Sequence, residues 1–293
     1  MMADKEIGTT RRLTEITDPE FERFRDFFYR KTGIKFENSK RYFVDKRLIE
    51  RIYATGNNSF RSYFTQMRFQ ASGEEVQQLI NCMTVNETYF YREEYQFEVM
   101  VENVMNEIAA NKKDKSDIRI WSIPSSTGEE PYSIALYLLE YWPQIQHLDV
   151  EIVSSDIDSK VLQACHAGVY NERSVKHLPA RTLKKYFSET AQGNYQLNKD
   201  IRDAVKFSKV NLSDINETKH YRNFDLIFCR NLLIYFDDES RKEAANVFYD
   251  ALNPGGFIFL GHSESMSRIS SLFKVKKYPK AIVYQRPLTG ENK

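Results

Sequence analysis

The stretch IRIWSIPSSTGEEPYSIALYLLEY, residues 118–141, contains the strand, turn and helix from which the fold of most of this chain follows. An apolar strand over 118–123 runs into a turn of small residues, and the turn opens into a helix predicted over 129–141. The same alternation continues with strands predicted at 150–154, 224–229 and 257–260 and helices at 159–167 and 239–252. Such alternation predicts an α/β fold around a parallel sheet with right-handed crossovers.

The residues before this pattern predict a separate, small all-helical domain. From residue 19 to about 84, apolar side chains recur at helical spacing, as Val44, Leu48 and Ile52 do. Turn residues divide this region into helices expected at 40–54, 58–70 and 74–83, and one more helix is expected at 93–110.

Between 168 and 209 the alternation of strands and helices breaks, which predicts an inserted small β-subdomain. The insertion is expected to hold a short helix near 179–187 and strand-like pieces at 195–197 and 205–207. Near the C-terminus, the pieces 273–278 and 281–285 predict an antiparallel hairpin that completes the main sheet.

Composition excludes several classes of protein. The net charge of +1 over 293 residues lacks the basic excess of most nucleic-acid binders. The first residues carry no apolar h-region and no run of eighteen apolar residues occurs, so a cytoplasmic protein is expected. Three cysteines, Cys82, Cys165 and Cys229, lie far apart without metal-ligand spacing, so neither disulfides nor a metal site is expected.

Positive charge is concentrated near the N-terminus, where residues 21–70 hold twelve Lys or Arg against five Asp or Glu. Lys40, Arg47 and Arg51 fall within a narrow arc of one predicted helix, beside its apolar arc. This stripe is either an ordinary solvated face or a surface that docks an acidic helix.

Acidic residues follow the first two strands, at the edge where parallel sheets bind ligands. Glu129 and Glu130 open the first helix; they either favour the helix dipole or exclude a pyrophosphate in favour of a cationic or neutral cofactor. Asp156 stands where nucleoside-binding folds place an acceptor for ribose hydroxyls. NAD dehydrogenases and adenosylmethionine methyltransferases share that feature, and an N-cap role suits Asp158 better than Asp156.

The stretch FDLIFCRNLLIYF, residues 224–236, separates these alternatives. Seven segments resemble, in order and spacing, the motifs of CheR-family chemoreceptor methyltransferases over nearly the whole chain. They are NETYFYRE (86–93), STGEEPYSIA (126–135), SDID (155–158), VNL (210–212), CRNLLIYFD (229–237), LNPGG (252–256) and LGHSE (260–264).

The resemblance implies a domain plan. A tail at 1–18 precedes an all-α receptor-docking domain at 19–85, and a linker at 86–95 contacts the cofactor. Residues 96–293 form a Rossmann-like domain dependent on S-adenosylmethionine, with the insertion at about 168–209.

The resemblance also implies the roles of individual residues. The residues implied to bind the cofactor are Asn86, Thr88, Arg92, Glu130, Asp156, Asn211, Leu212, Asn231 and Leu232. The first three close over it, Glu130 holds its amine and Asp156 its ribose. The two Asn-Leu pairs frame the adenine and the sulfonium region, and Arg92 and Tyr235 lie nearest the transferable methyl group. Without the motif, Tyr235 reads as a core aromatic residue.

One departure from the family pattern concerns Ile123-Pro124, which stand where small residues are usual after Trp-Ser. Proline has no backbone N–H, so any hydrogen bond from that amide to the cofactor is lost and weaker cofactor binding is expected.

The implied activity is methyl-ester formation on glutamate side chains of bacterial chemoreceptors, with S-adenosylhomocysteine as product and no metal. The implied partner is the receptor's cytoplasmic helical bundle, met by Lys40, Arg47 and Arg51. A short hairpin in the insertion favours recruitment without a C-terminal pentapeptide tether, and no nucleic acid or direct membrane insertion is expected. The alternatives are a nicotinamide dehydrogenase, a nucleic-acid methyltransferase and a non-catalytic cofactor-binding scaffold or sensor of receptor arrays. The missing glycine fingerprint disfavours the dehydrogenase. The lack of an Asp/Asn-Pro-Pro-aromatic motif disfavours the nucleic-acid methyltransferase.

Overall fold

A computed structural model of the chain describes residues 15–112, 117–288 and 290, which form two compact units. Within these ranges, the helical unit holds the residues up to Lys31 and Lys35–Thr84, and the α/β unit holds Thr32–Ile34 and the residues from Val85 onward. Most of the predicted tail at 1–18 lies outside the described residues.

In its described residues, the helical unit has four α-helices around an apolar core. They are α1 Asp18–Thr32, α2 Arg41–Ala54, α3 Phe60–Phe69 and α4 Glu74–Met83. Val44, Leu48 and Ile52 of α2 are fully buried, so the predicted apolar arc is confirmed. Ser59 caps α3 by accepting a hydrogen bond from the Ser62 amide, which explains why that helix begins after the polar turn.

The α/β unit follows the predicted alternation of strands and helices. Its strands are β1 Ile118–Ser122, β2 Val150–Asp156, β3 Val169–Tyr170, β4 Phe187–Glu189, β5 Tyr195–Leu197, β6 Val205–Lys209, β7 Phe224–Cys229, β8 Leu252–Leu260, β9 Lys274–Lys277 and β10 Ile282–Gln285. Its helices are α5 Tyr95–Val99, α6 Met105–Asn111, α7 Glu129–Tyr141, α8 Ser159–Ala167, α9 Glu172–Val175, α10 Ala180–Tyr186, α11 Lys199–Asp203, α12 Ile215–Thr218 and α13 Asp238–Ala251. A π-helical turn, Met100–Val104, joins α5 to α6.

The main sheet has the strand order β6-β2-β1-β7-β8-β10-β9. The first five strands pair in parallel, and β10 runs antiparallel to both of its neighbours, which confirms the predicted C-terminal hairpin. Because β1 pairs with both β2 and β7, the ends of these three strands are neighbours. The sheet therefore brings together the turns that follow them.

The insertion is smaller than the sequence suggests. Strands β3, β5 and β4 form a separate three-stranded antiparallel sheet, but β6 pairs in parallel with β2 and is the edge of the main sheet. Assigning 205–207 to the insertion is therefore wrong. The physical reason is that an edge strand is partly exposed, so its polar side chains resemble those of a surface subdomain.

The apolar core lies on both faces of the main sheet. Every residue of β7 is buried, and Phe228 stacks on Phe259 of β8 at 4.7 Å and on Phe97 of α5 at 5.8 Å between ring centroids. Burying each such ring stabilises the fold by about 1.5–3 kcal/mol. Among the described helices, none combines the length and apolar character needed to cross a membrane.

Candidate active site

A cleft of about 220 Å³ opens in the α/β unit where β1 and β7 end. Its wall comes from the segment before α5, from the turn after β1 and from the turn after β7. The residues that line it are Val85, Asn86, Glu87, Thr88, Tyr89, Arg92, Phe97, Pro124, Ser125, Ser126, Glu130, Arg230, Asn231, Ile234 and Tyr235. Six of the residues predicted for the site thus share one cleft: Asn86, Thr88, Arg92, Glu130, Asn231 and Tyr235.

Two glutamates line this cleft: Glu87, which is exposed, and Glu130, which lies in the first turn of α7 and is more buried. The Glu130 carboxylate accepts a hydrogen bond from the Ser122 hydroxyl at 3.0 Å and pairs with the Arg230 guanidinium at 3.1 Å. Burial raises the pKa of Glu130, and Arg230 opposes that rise. Glu129 differs: its buried carboxylate accepts a hydrogen bond from Thr127 at 2.6 Å, and it does not line this cleft.

Arg230 and Glu93 complete a buried ionic cluster that the sequence analysis missed. The Arg230 guanidinium pairs with Glu93 at 3.2 Å as well as with Glu130, and its side chain is only 1% exposed. Two carboxylates face one guanidinium, so the cluster carries an excess of one negative charge when both are ionised. The available signal was a charged residue directly after the apolar run Leu226–Cys229 that ends β7.

Arg92 and Tyr235 line the same cleft, Arg92 from the segment before α5 and Tyr235 from the turn after β7. The Arg92 guanidinium donates to the Glu87 carbonyl at 2.7 Å, and among the described residues it forms no ion pair. Burial raises the pKa of the Tyr235 phenol, although the positive charge of Arg92 lowers it in part. Tyr235 is therefore protonated at neutral pH and can donate a hydrogen bond.

Asp156 lies at the end of β2, beneath the turn that follows β1, and is 3% exposed. One carboxylate oxygen accepts from the Ser126 amide at 2.8 Å and the other from the Asp158 amide at 2.9 Å. Burial raises the pKa of Asp156 to about 7 despite these bonds. The Ile157 amide also favours the ionised carboxylate. Because a carboxylate has about four acceptor sites, acceptor capacity remains for a ligand. Asp158 caps α8, as the sequence indicated.

The turn after β7 is held by a third residue that was not predicted, Glu264. Its carboxylate accepts from the backbone amides of Gly261 and Asn231, each at 2.8 Å, and of Ile234 at 3.2 Å. Asn231 has a left-handed φ of +57°. Glu264 thus fixes the turn that carries Asn231 and Tyr235 into the cleft.

Four predicted cofactor residues lie near this edge of the sheet without lining the cleft, and Asp156 is one of them. Asn211 follows β6, and its side chain accepts from the Ser213 amide at 3.1 Å. Leu212 and Leu232 pack in or against the apolar cluster that contains Ile123. Asn86 does line the cleft, and its side-chain amide donates a hydrogen bond to the Asp158 carboxylate at 3.1 Å.

The residues present fit S-adenosylmethionine. The anionic cluster around Glu130 suits an ammonium group and would repel a pyrophosphate. Asp156 retains acceptor capacity for ribose hydroxyls, and Pro124 lines the cleft without an N–H, as expected. In the part of the chain that the structure describes, no group of three His, Cys, Asp or Glu could hold a metal ion.

In the helical unit, the three predicted docking residues have different environments. Lys40 is exposed. Arg47 donates to the Cys82 carbonyl at 2.7 Å and lies 3.5 Å from the ring centroid of Phe43. Arg51 pairs with Glu75 at 2.5 Å. Arg47 and Arg51 therefore already make contacts within the helical unit, whereas Lys40 is exposed.

Comparison with known proteins agrees with this geometry. The family model "CheR methyltransferase, all-alpha domain" matches residues 19–84, and "CheR methyltransferase, SAM binding domain" matches residues 86–282. Chemotaxis protein methyltransferase 2 of Vibrio cholerae serotype O1 is 57% identical over 277 residues, covering 94% of this chain and 96% of its own. The chemotaxis protein methyltransferase of Salmonella typhimurium is 33% identical over 276 residues, which cover 92% of this chain and 91% of the relative. That of Escherichia coli is 31% identical over 283 residues, which cover 92% of both chains. The chain therefore belongs to the CheR methyltransferase family.

Proposed function

We propose that this protein methylates glutamate side chains of bacterial chemoreceptors in the cytoplasm, using S-adenosylmethionine and forming methyl esters. The observation that carries the proposal is that Arg92 and Tyr235 share a cleft with Glu130 at the ends of β1 and β7. Since Arg92 pairs with no described acidic residue, its guanidinium is available to an incoming carboxylate. The relatives named chemotaxis protein methyltransferase support a receptor as the substrate.

We assign cofactor binding to residues on both sides of the cleft. Glu130 would hold the amine, Asp156 the ribose hydroxyls, and Asn86 and Thr88 would close over the cofactor. Asn211, Leu212, Asn231 and Leu232 would frame its adenine and sulfonium ends. When bound, S-adenosylmethionine supplies an electrophilic methyl group on a sulfonium centre.

The residues of the chain then need only position the acceptor. A glutamate with a pKa of about 4.3 is ionised at neutral pH, so no general base is required. Arg92 would orient the carboxylate and offset its loss of water, and the Tyr235 hydroxyl would donate a hydrogen bond to it. A phenol with a raised pKa suits this role and does not suit a base.

The test is incubation with tritiated S-adenosylmethionine and receptor-containing membranes. Label in the receptor that alkali releases as methanol supports a methyl ester. The absence of receptor label would favour the non-catalytic scaffold, and alkali-stable label would reject glutamate as the acceptor.

We further propose that receptors dock through the helical unit without a C-terminal tether. The β4–β5 hairpin closes through a short turn, in which the Thr190 amide donates to the Asn194 carbonyl at 2.7 Å. Calorimetry should show no tight binding of a receptor C-terminal pentapeptide, whereas micromolar binding would establish a tether.

A further inference from the structure

The Arg230 side chain joins three elements of the cleft. Arg230 follows β7, and its guanidinium pairs with Glu130 of α7 at 3.1 Å. It also reaches the turn before α5, where it pairs with Glu93 at 3.2 Å and donates to the Arg92 carbonyl at 2.5 Å. The guanidinium lies 5.4 Å from the ring centroid of Phe97.

Stability alone does not account for this arrangement. A guanidinium that is almost fully buried loses its hydration, and a buried ion pair often stabilises a fold no more than apolar residues of the same volume would. The Arg230 Nε is also buried without a hydrogen-bond partner among the described residues. Such costs are expected where a charged group serves a site.

The turn that Arg230 holds is itself strained. Tyr91 and Glu93 have φ values of +59° and +56°, a region that side chains other than glycine and asparagine seldom adopt. Arg92 stands between them and lines the cleft. A contact to the Arg92 carbonyl and another to Glu93 therefore fix the backbone from which the Arg92 side chain projects.

We propose that Arg230 is a positioning residue that orients the Glu130 carboxylate toward the cofactor's amine and holds the turn that presents Arg92. This inference rests on the proposed function, which assigns the amine to Glu130 and the acceptor carboxylate to Arg92. The planar fork of arginine is required, because one ammonium cannot reach two carboxylates and a carbonyl in this geometry.

The experiment compares two ligands by calorimetry: S-adenosylhomocysteine, and 5′-methylthioadenosine, which has no amino-acid group. Arg230→Lys and Arg230→Met should lower the affinity for S-adenosylhomocysteine by about tenfold or more. The same variants should change the affinity for 5′-methylthioadenosine by less than about twofold. At saturating cofactor, kcat for receptor methylation should also fall about tenfold, because Arg92 is displaced.

Arg119 offers a matched control at the other end of the sheet. Its guanidinium also pairs with a glutamate, Glu151, at 2.6 Å, donates to the Arg222 carbonyl at 2.6 Å and lies over the Phe224 ring. Arg119→Lys should leave both affinities unchanged. If Arg230→Met does not fold, Arg230→Lys and Glu93→Gln provide the comparison.

Equal weakening of both ligands by the Arg230 variants would show a purely structural role and overturn the inference. Unchanged affinity for S-adenosylhomocysteine would show that Arg230 does not orient Glu130. Unchanged kcat would show that it does not hold the turn that presents Arg92. A wild-type protein that binds S-adenosylhomocysteine and methylates no receptor would reject the proposed function, while the ligand comparison would still decide whether Arg230 orients Glu130.

Discussion

Asp156 combines a buried position with a pKa of about 7, so the proposed ribose contact should depend on pH. Ribose hydroxyls would donate to the ionised carboxylate, whose fraction rises as pH passes through the pKa. Affinity for 5′-methylthioadenosine should therefore rise about tenfold from about pH 6 to about pH 8 and then level off. This ligand isolates the ribose contact, because it has no amine to sense Glu130. Calorimetry over this range measures the rise.

The control variants separate charge from shape. Asp156→Ala should lower the affinity for S-adenosylhomocysteine by about ten- to a hundredfold, because hydrogen bonds to a charged acceptor are lost. Asp156→Asn should flatten the pH dependence. A variant that kept both the affinity and the rise with pH would remove Asp156 from the ribose site.

Arg92 and Tyr235 should differ in how strongly they affect turnover. Tyr235→Phe should lower kcat by about tenfold, equivalent to one hydrogen bond, without moving the pH profile. Arg92→Ala should be more damaging, because it leaves a carboxylate in the cleft without a cationic partner. Steady-state kinetics at saturating cofactor distinguish these effects. A rate that climbed toward a pH near 10 and vanished in Tyr235→Phe would instead make Tyr235 a base.

Single residues were predictable where a local motif identified them and not where distant residues meet. Glu130 and Asp156 follow directly from strand ends. Arg230 was missed because its partner Glu130 is 100 residues away in the chain, and only folding of the sheet brings them together.

At the level of elements, the turn after β7 depends on Gly261 as well as on Glu264. A Cβ at Gly261 would lie 2.7 Å from the Asn231 side-chain amide and 2.8 Å from a Glu264 carboxylate oxygen. Gly261→Ala should therefore displace this turn and weaken S-adenosylhomocysteine binding by about tenfold, at a cost of about 1–3 kcal/mol in stability. Calorimetry and urea unfolding measure the two effects.

Gly56 provides the control for this substitution, because a Cβ there meets nothing within 4 Å, although its φ is positive, at +73°. Gly56→Ala should destabilise the fold and spare ligand binding. Unchanged binding in Gly261→Ala would show that the turn tolerates displacement.

Helix α2 allows docking to be tested apart from folding. Lys40 is exposed, so Lys40→Glu should raise the KM for receptor and leave cofactor affinity intact. Added salt should reduce the wild-type rate in the same way. If the KM did not change, Lys40 would not belong to the docking surface.

Arg51→Glu should instead unfold the helical unit at lower temperature. The new carboxylate would face Glu75, which also accepts a hydrogen bond from the Tyr63 hydroxyl at 2.8 Å. Thermal denaturation should show a lower Tm for this variant and little change for Lys40→Glu. Equal Tm values would mean that the pair with Glu75 contributes nothing to stability.

Elements with strong periodicity were predicted well, and edge elements were not. The bounds predicted for 74–83, 129–141 and 159–167 coincide with α4, α7 and α8, because each has a capping or turn signal at its ends. Strand β6 was misassigned because only Val205 is buried among its five residues, which leaves no clear pattern.

At the scale of the whole molecule, the candidate active site and the basic residues proposed to dock the receptor lie in separate units. The α/β unit holds the cleft, and the helical unit holds Lys40 and its basic neighbours. The sequence indicated this division because apolar residues recur at helical spacing up to about residue 84 and strands alternate with helices farther along the chain. Such spacing depends on local structure. The sequence could not indicate the ionic cluster or the strained turn before α5, which depend on long-range packing.

The most direct test of the account is mass spectrometry of a chemoreceptor after incubation with the enzyme and S-adenosylmethionine bearing a trideuteromethyl group. The account predicts the mass increment of that group on glutamate side chains of receptor peptides, and its loss in alkali. The rate at saturating cofactor should be level from about pH 6 to about pH 9, since the acceptor is already ionised. A deuterated methyl group found on another side chain or on nucleic acid, or one that resists alkali, would contradict it.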